Sequence, residues 1–330
     1  MKATAIANSN IALVKYWGKR DEKLVLPKNS SISMALDKLH TTTTVEFSKK
    51  LKEDSLKIDG RNATEKELER VSKHLDLVRK EFGEQIYARI ESKNNFPKAA
   101  GLASSASAFA ALSLAATKAL DLHLDKKELS IIARQGSGSA SRSIAGGFVE
   151  FEKGSQPDGS DSFAKQIAPQ DHWEELRMVV VVLTTKEKKV GSSEGMDKTT
   201  LSSELYHCWM ETIDKDLKKV REAIIEKNFP MLGRTAEMNA LKMHSTMITT
   251  EPHLIYWEPE TISIMKEIMK LREEGTECYF TIDAGPQVKI LCLENNVKKI
   301  ENHFSKFKGV KKLIVCKTGG EAKLIEEDLF

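Results

Sequence analysis

Four stretches of this sequence hold side chains whose types and spacing could do chemistry. Near the start, Lys15, Tyr16, Lys19 and Arg20 crowd into six positions, with Trp17 among them. In the middle, NNFPKAAGLASSASAF (Asn94 to Phe109) runs from a proline through small residues into an alanine-rich apolar run. A third stretch, QGSGSASRSIAGG, sets Arg142 among Ser137, Ser139, Ser141 and Ser143, between glycine pairs. The fourth, TIDAGPQVKIL, ends a strand pattern on Asp283, directly before Ala-Gly-Pro.

A small-residue loop that feeds a helix presents unpaired N–H groups and the positive end of the macrodipole, which suits phosphate. Ser104, Ser105 and Ser107 add hydroxyls there. Hydroxyls in that place can cap the helix or reach a phosphate or a metal. No Gly-Lys-Ser/Thr follows, so the stretch is not a Walker loop. Arg142 among hydroxyls suits a carboxylate or phosphate gripped through two parallel hydrogen bonds, and equally a surface arginine in a glycine-rich turn. The basic cluster at Lys15 to Arg20 reads as a solvated strand end, although Tyr16 and Trp17 in its midst argue otherwise. Asp283 is either a turn former or a rigidly held carboxylate. Ser192 and Ser193, beside Gly191 and Gly195, stand where an N-cap serine would.

The elements that must position these residues alternate irregularly between strand and helix, which predicts an α+β chain. Residues 2 to 17 read as two short strands broken at Asn8-Ser9-Asn10, and HTTTTVEF (40–47) as a β-branched strand. Helical spacing predicts helices over 64–82, from the small-residue loop to about Leu120, and around 203–227, 229–245, 259–275 and 297–307. RMVVVVLT (177–184), 278–282 and 311–316 read as strands, and the residues beyond 316 as a tail. The polar, turn-rich residues 154–172 predict a boundary between an N-terminal domain (1–170) and a C-terminal one (171–330).

With 330 residues, 40% of them hydrophobic, the chain can bury a large core. A net charge of +3 does not call for nucleic acid or an acidic membrane as partner. The apolar runs are too short for a membrane span, and the N-terminus does not read as a signal peptide. Cys208, Cys278, Cys292 and Cys316 form no CxxC pair and read as reduced thiols of a cytoplasmic protein.

Taken together and in order, VKYWGKRDEKLVLPKNSSIS, NNFPKAAGLASSASAF, SGSASRSIAGGFVEF and TIDAGPQVK resemble the mevalonate diphosphate decarboxylase family of the GHMP kinase superfamily. The resemblance covers most of the chain. It implies a two-domain GHMP-kinase-like fold with the active site in the cleft between domains. It also implies ATP-dependent decarboxylation of mevalonate 5-diphosphate, by phosphorylation of a tertiary hydroxyl and loss of phosphate with CO2. Relatives that act on the monophosphate, or stop at the phosphorylated product, are the alternatives it leaves open.

The residues the resemblance assigns are, as catalytic groups, Asp283, Lys19 and Arg142, and for substrate binding Lys15, Tyr16, Ser139, Ser141 and Ser192. For ATP it assigns Pro97, Ala100, Gly101, Leu102, Ala103, Ser104, Ser105 and Ser107, with Ser105 the candidate metal contact. ATP and Mg2+ are the implied cofactors, a small molecule the partner, and a homodimer the expected assembly.

Overall fold

The computed structural model describes residues 1–96, 103–184 and 188–330. The chain opens on a long strand, β1 (Lys2–Val14), passes a small ribbon of β2 (Lys19–Asp21) and β3 (Leu26–Pro27), and returns antiparallel to β1 along β4 (Ser31–Ser48). β5 (Ser55–Ile58) and β6 (Arg61–Asn62) lead into α1 (Glu65–Phe82) and β7 (Tyr87–Asn94). Three helices follow, α2 (Ser104–Ala119), α3 (Lys126–Gly136) and α4 (Ala140–Ala145), and then β8 (Phe148–Phe151) and β9 (Ala164–Ala168).

The rest of the chain starts with a fully buried strand, β10 (Leu176–Val182). Four helices come next, α5 (Ser192–Ser202), α6 (Leu205–Ile225), α7 (Phe229–Ile248) and α8 (Pro259–Glu273). The hairpin of β11 (Cys278–Ile282) and β12 (Val288–Leu293), then α9 (Glu294–Phe304), β13 (Lys312–Cys316) and β14 (Lys323–Ile325) complete it. The first sheet runs β14-β1-β4-β7-β5-β6, with β8 and β9 beside the first half of β4; the second runs β11-β12-β10-β13.

Local chemistry sets several of these boundaries. Thr64 and Glu67 form a reciprocal capping box at the start of α1, and Gly83 ends that helix with a φ of 82°. Asp125 and Glu128 repeat the box at α3. α2 is alanine-rich and apolar on most sides, and buries most of its length against β1 and β4, as such a helix must. One apolar cluster, which includes Ile11, Trp17, Phe148, Trp209, Met243 and Tyr279, runs from the first sheet into α6, α7 and β11. The two halves therefore share a core, and the residues between them are held on both sides.

Three local expectations are corrected. β1 is a single strand, because the polar triplet is absorbed by a register shift between Asn8 and Ser9 and its side chains find partners elsewhere. Residues 140–145, within the glycine-rich turn, wind into the short helix α4. The tail contains β14, which pairs with β1 through Thr4 opposite Ile325. Among the described residues no helix is long and apolar enough to cross a membrane. Cys278 and Cys292 lie opposite each other in register as free thiols.

Candidate active site

Asp283 follows β11 directly, at the start of a turn that is anchored on three sides. The Asp283 carbonyl accepts from the Gly285 N–H at 2.7 Å. Gln287 accepts from the Leu183 N–H through Oε1 and donates to the Thr184 carbonyl through Nε2, both at 2.5 Å. Thr261, in the first turn of α8, donates to the Pro286 carbonyl at 2.8 Å. The carboxylate thus stands on rigid backbone, with a quarter of its side chain exposed.

Two lysines face it. Lys15 Nζ lies 2.7 Å from Asp283 Oδ1 and also donates to the Ala12 carbonyl at 2.9 Å. Lys289 Nζ lies 3.2 Å from Oδ2. Both ammonium groups are buried, Lys15 at 1% exposure and Lys289 at none. Lys289 alternates with Val288 and Ile290, which pack into the apolar cluster on the other side of the second sheet, so the pleat turns it the opposite way.

The electrostatics follow from that packing. Burial pushes the Asp283 carboxyl up, but the Lys15 and Lys289 ammoniums outweigh it and hold the group well below the usual carboxylate range. Burial lowers Lys15 to about 8, although Asp283 pulls the other way. Arg142 is close enough to Asp283 and Lys15 to influence both, and burial brings its own value down to about 10.

Arg142 projects from α4 and is oriented by the first sheet. Its Nε donates to Asn10 Oδ1 at 3.0 Å and its Nη1 to Ser31 Oγ at 2.6 Å. Asn10 in turn donates to the Ser139 carbonyl and to Ser143 Oγ, so the arginine and the helix that carries it share one support. Gly138 makes room for Tyr16, since a Cβ there would come within 2.7 Å of the Tyr16 ring.

A line of hydroxyls joins the loop at α2 to α4: Ser137 Oγ lies 3.4 Å from Ser105 and 3.3 Å from Ser139. α2 begins after Ala103, which has a left-handed φ of 56°, and no side chain caps it. Its first N–H groups are therefore not spent on a cap, and Ser104 does not close the helix as an N-cap serine would. Pro97, Ala100, Gly101 and Leu102 lie outside the described residues.

Lys188, which the sequence reading did not single out, is held against the turn that follows Asp283. Its Nζ donates to Ser192 Oγ at 2.6 Å and to the Ala284 carbonyl at 2.8 Å, and lies 5.2 Å from the Tyr256 ring centre. Burial lowers it to about 8, against the pull of Asp283. Ser192 is the first residue of α5 and binds Lys188 in place of capping the helix.

Some expected residues stand elsewhere. Lys19 does not pair with Asp283; its Nζ lies 3.0 Å from Glu22, 3.2 Å from Asp197 and 2.8 Å from Ser193 Oγ. It opens the ribbon strand β2, five residues beyond the end of β1. Ser107 is fully buried, and its hydroxyl is engaged with Thr41 at 2.7 Å. Ser141 is buried too and donates to the Gly138 carbonyl at 2.7 Å. Asn10, Ser31, Lys188 and Lys289 complete the cluster. Lys289 had a signal in the sequence, as a lone lysine in an apolar strand.

A buried carboxylate between lysines, an oriented arginine and an uncapped helix start make up this cluster, and the comparisons with known proteins agree on what carries them. The family model described as diphosphomevalonate decarboxylase-like N-terminal domain matches residues 7–164. The mevalonate 5-diphosphate decarboxylase C-terminal domain matches 178–325. The chain belongs to the mevalonate 5-diphosphate decarboxylase family.

Individual relatives are similar over their whole length. The diphosphomevalonate decarboxylase of Candida albicans is 36% identical, over 99% of this chain and 96% of its own. A crystal structure of mevalonate diphosphate decarboxylase from Staphylococcus aureus superposes with a TM-score of 0.93 at 43% identity, over 98% of both chains. A structure of MDDEF in complex with MVAPP, AMPPCP and magnesium gives the same TM-score at 41% identity, over 99% of both. The fold is thus that of a two-domain, GHMP-kinase-like α+β protein.

The residues present fit a nucleotide with its metal. The uncapped start of α2 and the Ser105 hydroxyl offer donors of the kind phosphate needs. Among the described residues no group of three or more His, Cys, Asp or Glu could hold a metal ion. Magnesium keeps waters and is commonly held through substrate phosphates and few protein oxygens, a role for which a hydroxyl such as that of Ser105 is suited.

Proposed function

We propose that this chain catalyses the ATP-dependent decarboxylation of mevalonate 5-diphosphate to isopentenyl diphosphate, with Asp283 as the group that takes the tertiary hydroxyl proton. The observation that carries this reading is the Lys15–Asp283–Lys289 cluster, a carboxylate kept anionic on a rigid turn and open on one side. A tertiary alcohol is a crowded, weak nucleophile, and a positioned acceptor for its proton is what the attack requires.

The other residues divide the remaining work. Lys15 holds Asp283 in place and offers positive charge beside the reacting hydroxyl. Arg142 grips the substrate carboxylate, in line with the bond that breaks when CO2 leaves. Lys188 and the start of α2 face the phosphates with Ser105; bound magnesium would supply further charge neutralisation there. Lys19, Tyr16, Ser139 and Ser192 remain for the substrate's diphosphate end. The departing phosphate takes that proton back from Asp283, and the carboxylate so restored stabilises the positive character left at the tertiary carbon.

The division of the chain near residue 170 belongs to the same reading, as do a cytoplasmic location, supported by free thiols, and a homodimer. A coupled assay with ATP, magnesium and either the mono- or the diphosphate tests the function. Release of CO2, phosphate and ADP from the diphosphate is expected. ADP without CO2, or a preference for the monophosphate, would overturn it.

A further inference from the structure

We propose that Asn239 is a positioning residue for Lys15, and that Asp216 and Lys242 fix which way its amide points. The inference rests on the reading of Lys15 and Asp283 given above.

Lys15 lies one residue beyond the end of β1, and the last pair of that ladder is Val14 opposite Ile32. Its own peptide groups therefore need partners outside the sheet. Two asparagine side chains supply them. Lys15 N–H donates to Asn239 Oδ1 at 2.8 Å, and Asn29 Nδ2 donates to the Lys15 carbonyl at 2.8 Å, both inside the protein. Asn29 is a neighbour in the same sheet region. Asn239 comes from the middle of α7, on the far half of the chain, and is fully buried.

The amide has one workable orientation. A backbone N–H faces one end and demands an acceptor. At the other end Asn239 Nδ2 donates to Asp216 Oδ2 at 2.8 Å, and a carboxylate demands a donor. The same Asp216 oxygen accepts from Lys242 Nζ at 2.9 Å, and Lys242 also reaches Thr212 Oγ1 at 3.1 Å. The charge on Asp216, held by Lys242, thus sets the polarity of the bond that reaches Lys15. A reversed amide would face N–H with NH2 and carboxylate with carbonyl.

α7 also locates the other member of the ion pair. Gly233 of this helix lies so close to β11 that a Cβ would come within 1.9 Å of the Tyr279 ring. His244, buried against Trp257, rests on the backbone of Ile282 and Asp283. One helix therefore references the lysine through Asn239 and the aspartate through β11, and fixes the distance between residues that belong to different sheets.

The test uses the full-length enzyme turning over mevalonate 5-diphosphate. Asp283 is faced by Lys15 at the end of β1, Lys289 on β12, Lys188 before α5, Arg142 on α4 and His244 on α7. Asn239→Ala lets the Lys15 backbone drift, weakens its grip on Asp283, and lets that carboxyl rise toward its ordinary range near ~4. The expected result is a fall in kcat of roughly 10- to 100-fold. KM should hold within about threefold, and the acid limb of the kcat profile should move upward. In a Lys15→Met background the same substitution should add nothing, because both changes act through one residue. A lower Tm with kcat and acid limb unchanged, or full additivity with Lys15→Met, would overturn the inference. If Asn239→Ala does not fold, the near-isosteric Asn239→Leu, which fills the volume without the acceptor, is measured instead: a raised acid limb supports the proposal and an unmoved one overturns it. Asp283→Asn in the same assay separates the two levels. If it is inactive while Asn239→Ala matches the parent, only this inference fails; if it turns over normally, the reading of Asp283 fails and the inference with it.

Discussion

Lys15 Nζ and Asp283 Oδ1 stand 2.7 Å apart, although the lysine follows β1 of the first sheet and the aspartate follows β11 of the second. The pair bridges the halves of the molecule. A shift of either half by an ångström would break it, so its geometry reports on whether the site is assembled.

Removing the charge of the aspartate tests the chemical role most directly. Asp283→Asn keeps the shape and one acceptor but cannot take a proton. Turnover should fall by roughly two to four orders of magnitude, the usual worth of a general base. Binding of the diphosphate, measured calorimetrically, should change little. Turnover within tenfold of the parent would remove Asp283 from the reaction.

The two nearby lysines should separate kinetically. Lys15 is buried against Asp283, whereas Lys19 is held by Glu22, Asp197 and Ser193. Lys15→Met is expected to lower kcat strongly and raise the acid limb, since Asp283 loses a positive neighbour. Lys19→Met is expected to raise KM for the diphosphate more than it lowers kcat. The reverse pattern would return Lys19 to the chemical step.

The profile in alkali has its own prediction. Burial sets both Lys15 and Lys188 at about 8, below the ordinary lysine value. Raising the pH through 8 therefore discharges two ammoniums that the phosphates and Asp283 require. On the acid side Asp283 stays charged, because its value is depressed. kcat/KM should thus be level from mildly acidic to neutral pH and fall above about 8. Lys188→Arg keeps its charge and should make the fall shallower; an unchanged slope would take Lys188 out of it.

A packing prediction concerns the glycine that ends α4. Gly146 has a φ of 65°, and a Cβ there would come within 2.2 Å of the backbone at Gly320 and Glu321. Backbone cannot step aside as a flexible side chain can. Gly146→Ala should cost about 2–4 kcal/mol in denaturant unfolding. It should also loosen Arg142, which α4 carries. A change below about 0.5 kcal/mol would mean that the contact gives way easily.

How far the sequence alone could be read depended on whether a residue acts through its neighbours in the chain or through distant ones. The long helices and the buried strand at 176–182 follow from apolar spacing and run length. Asp283 and Arg142 stood out because each sits in a short stretch with its own glycines. Lys15 and Lys19 are indistinguishable by type. Only the point where β1 ends decides which of them is buried beside the carboxylate. Asn10, Asn239 and Asp216 gave no signal, because a polar residue in a strand or helix looks solvated until the partner that buries it is known. The internal bonds of Ser107 and Ser141 were hidden for the same reason, since a serine in a small-residue run looks available whether or not its hydroxyl already has a partner.

β14 pairs with β1, yet it comes after every element of the second sheet. Lys2 and Asp328 meet at the same edge, and Leu329 N–H bonds Thr44 Oγ1. During synthesis, then, the first half emerges from the ribosome long before its edge strand exists. That edge of β1 stays uncovered until the other half has been made, so the first sheet is completed only by the last strand of the chain.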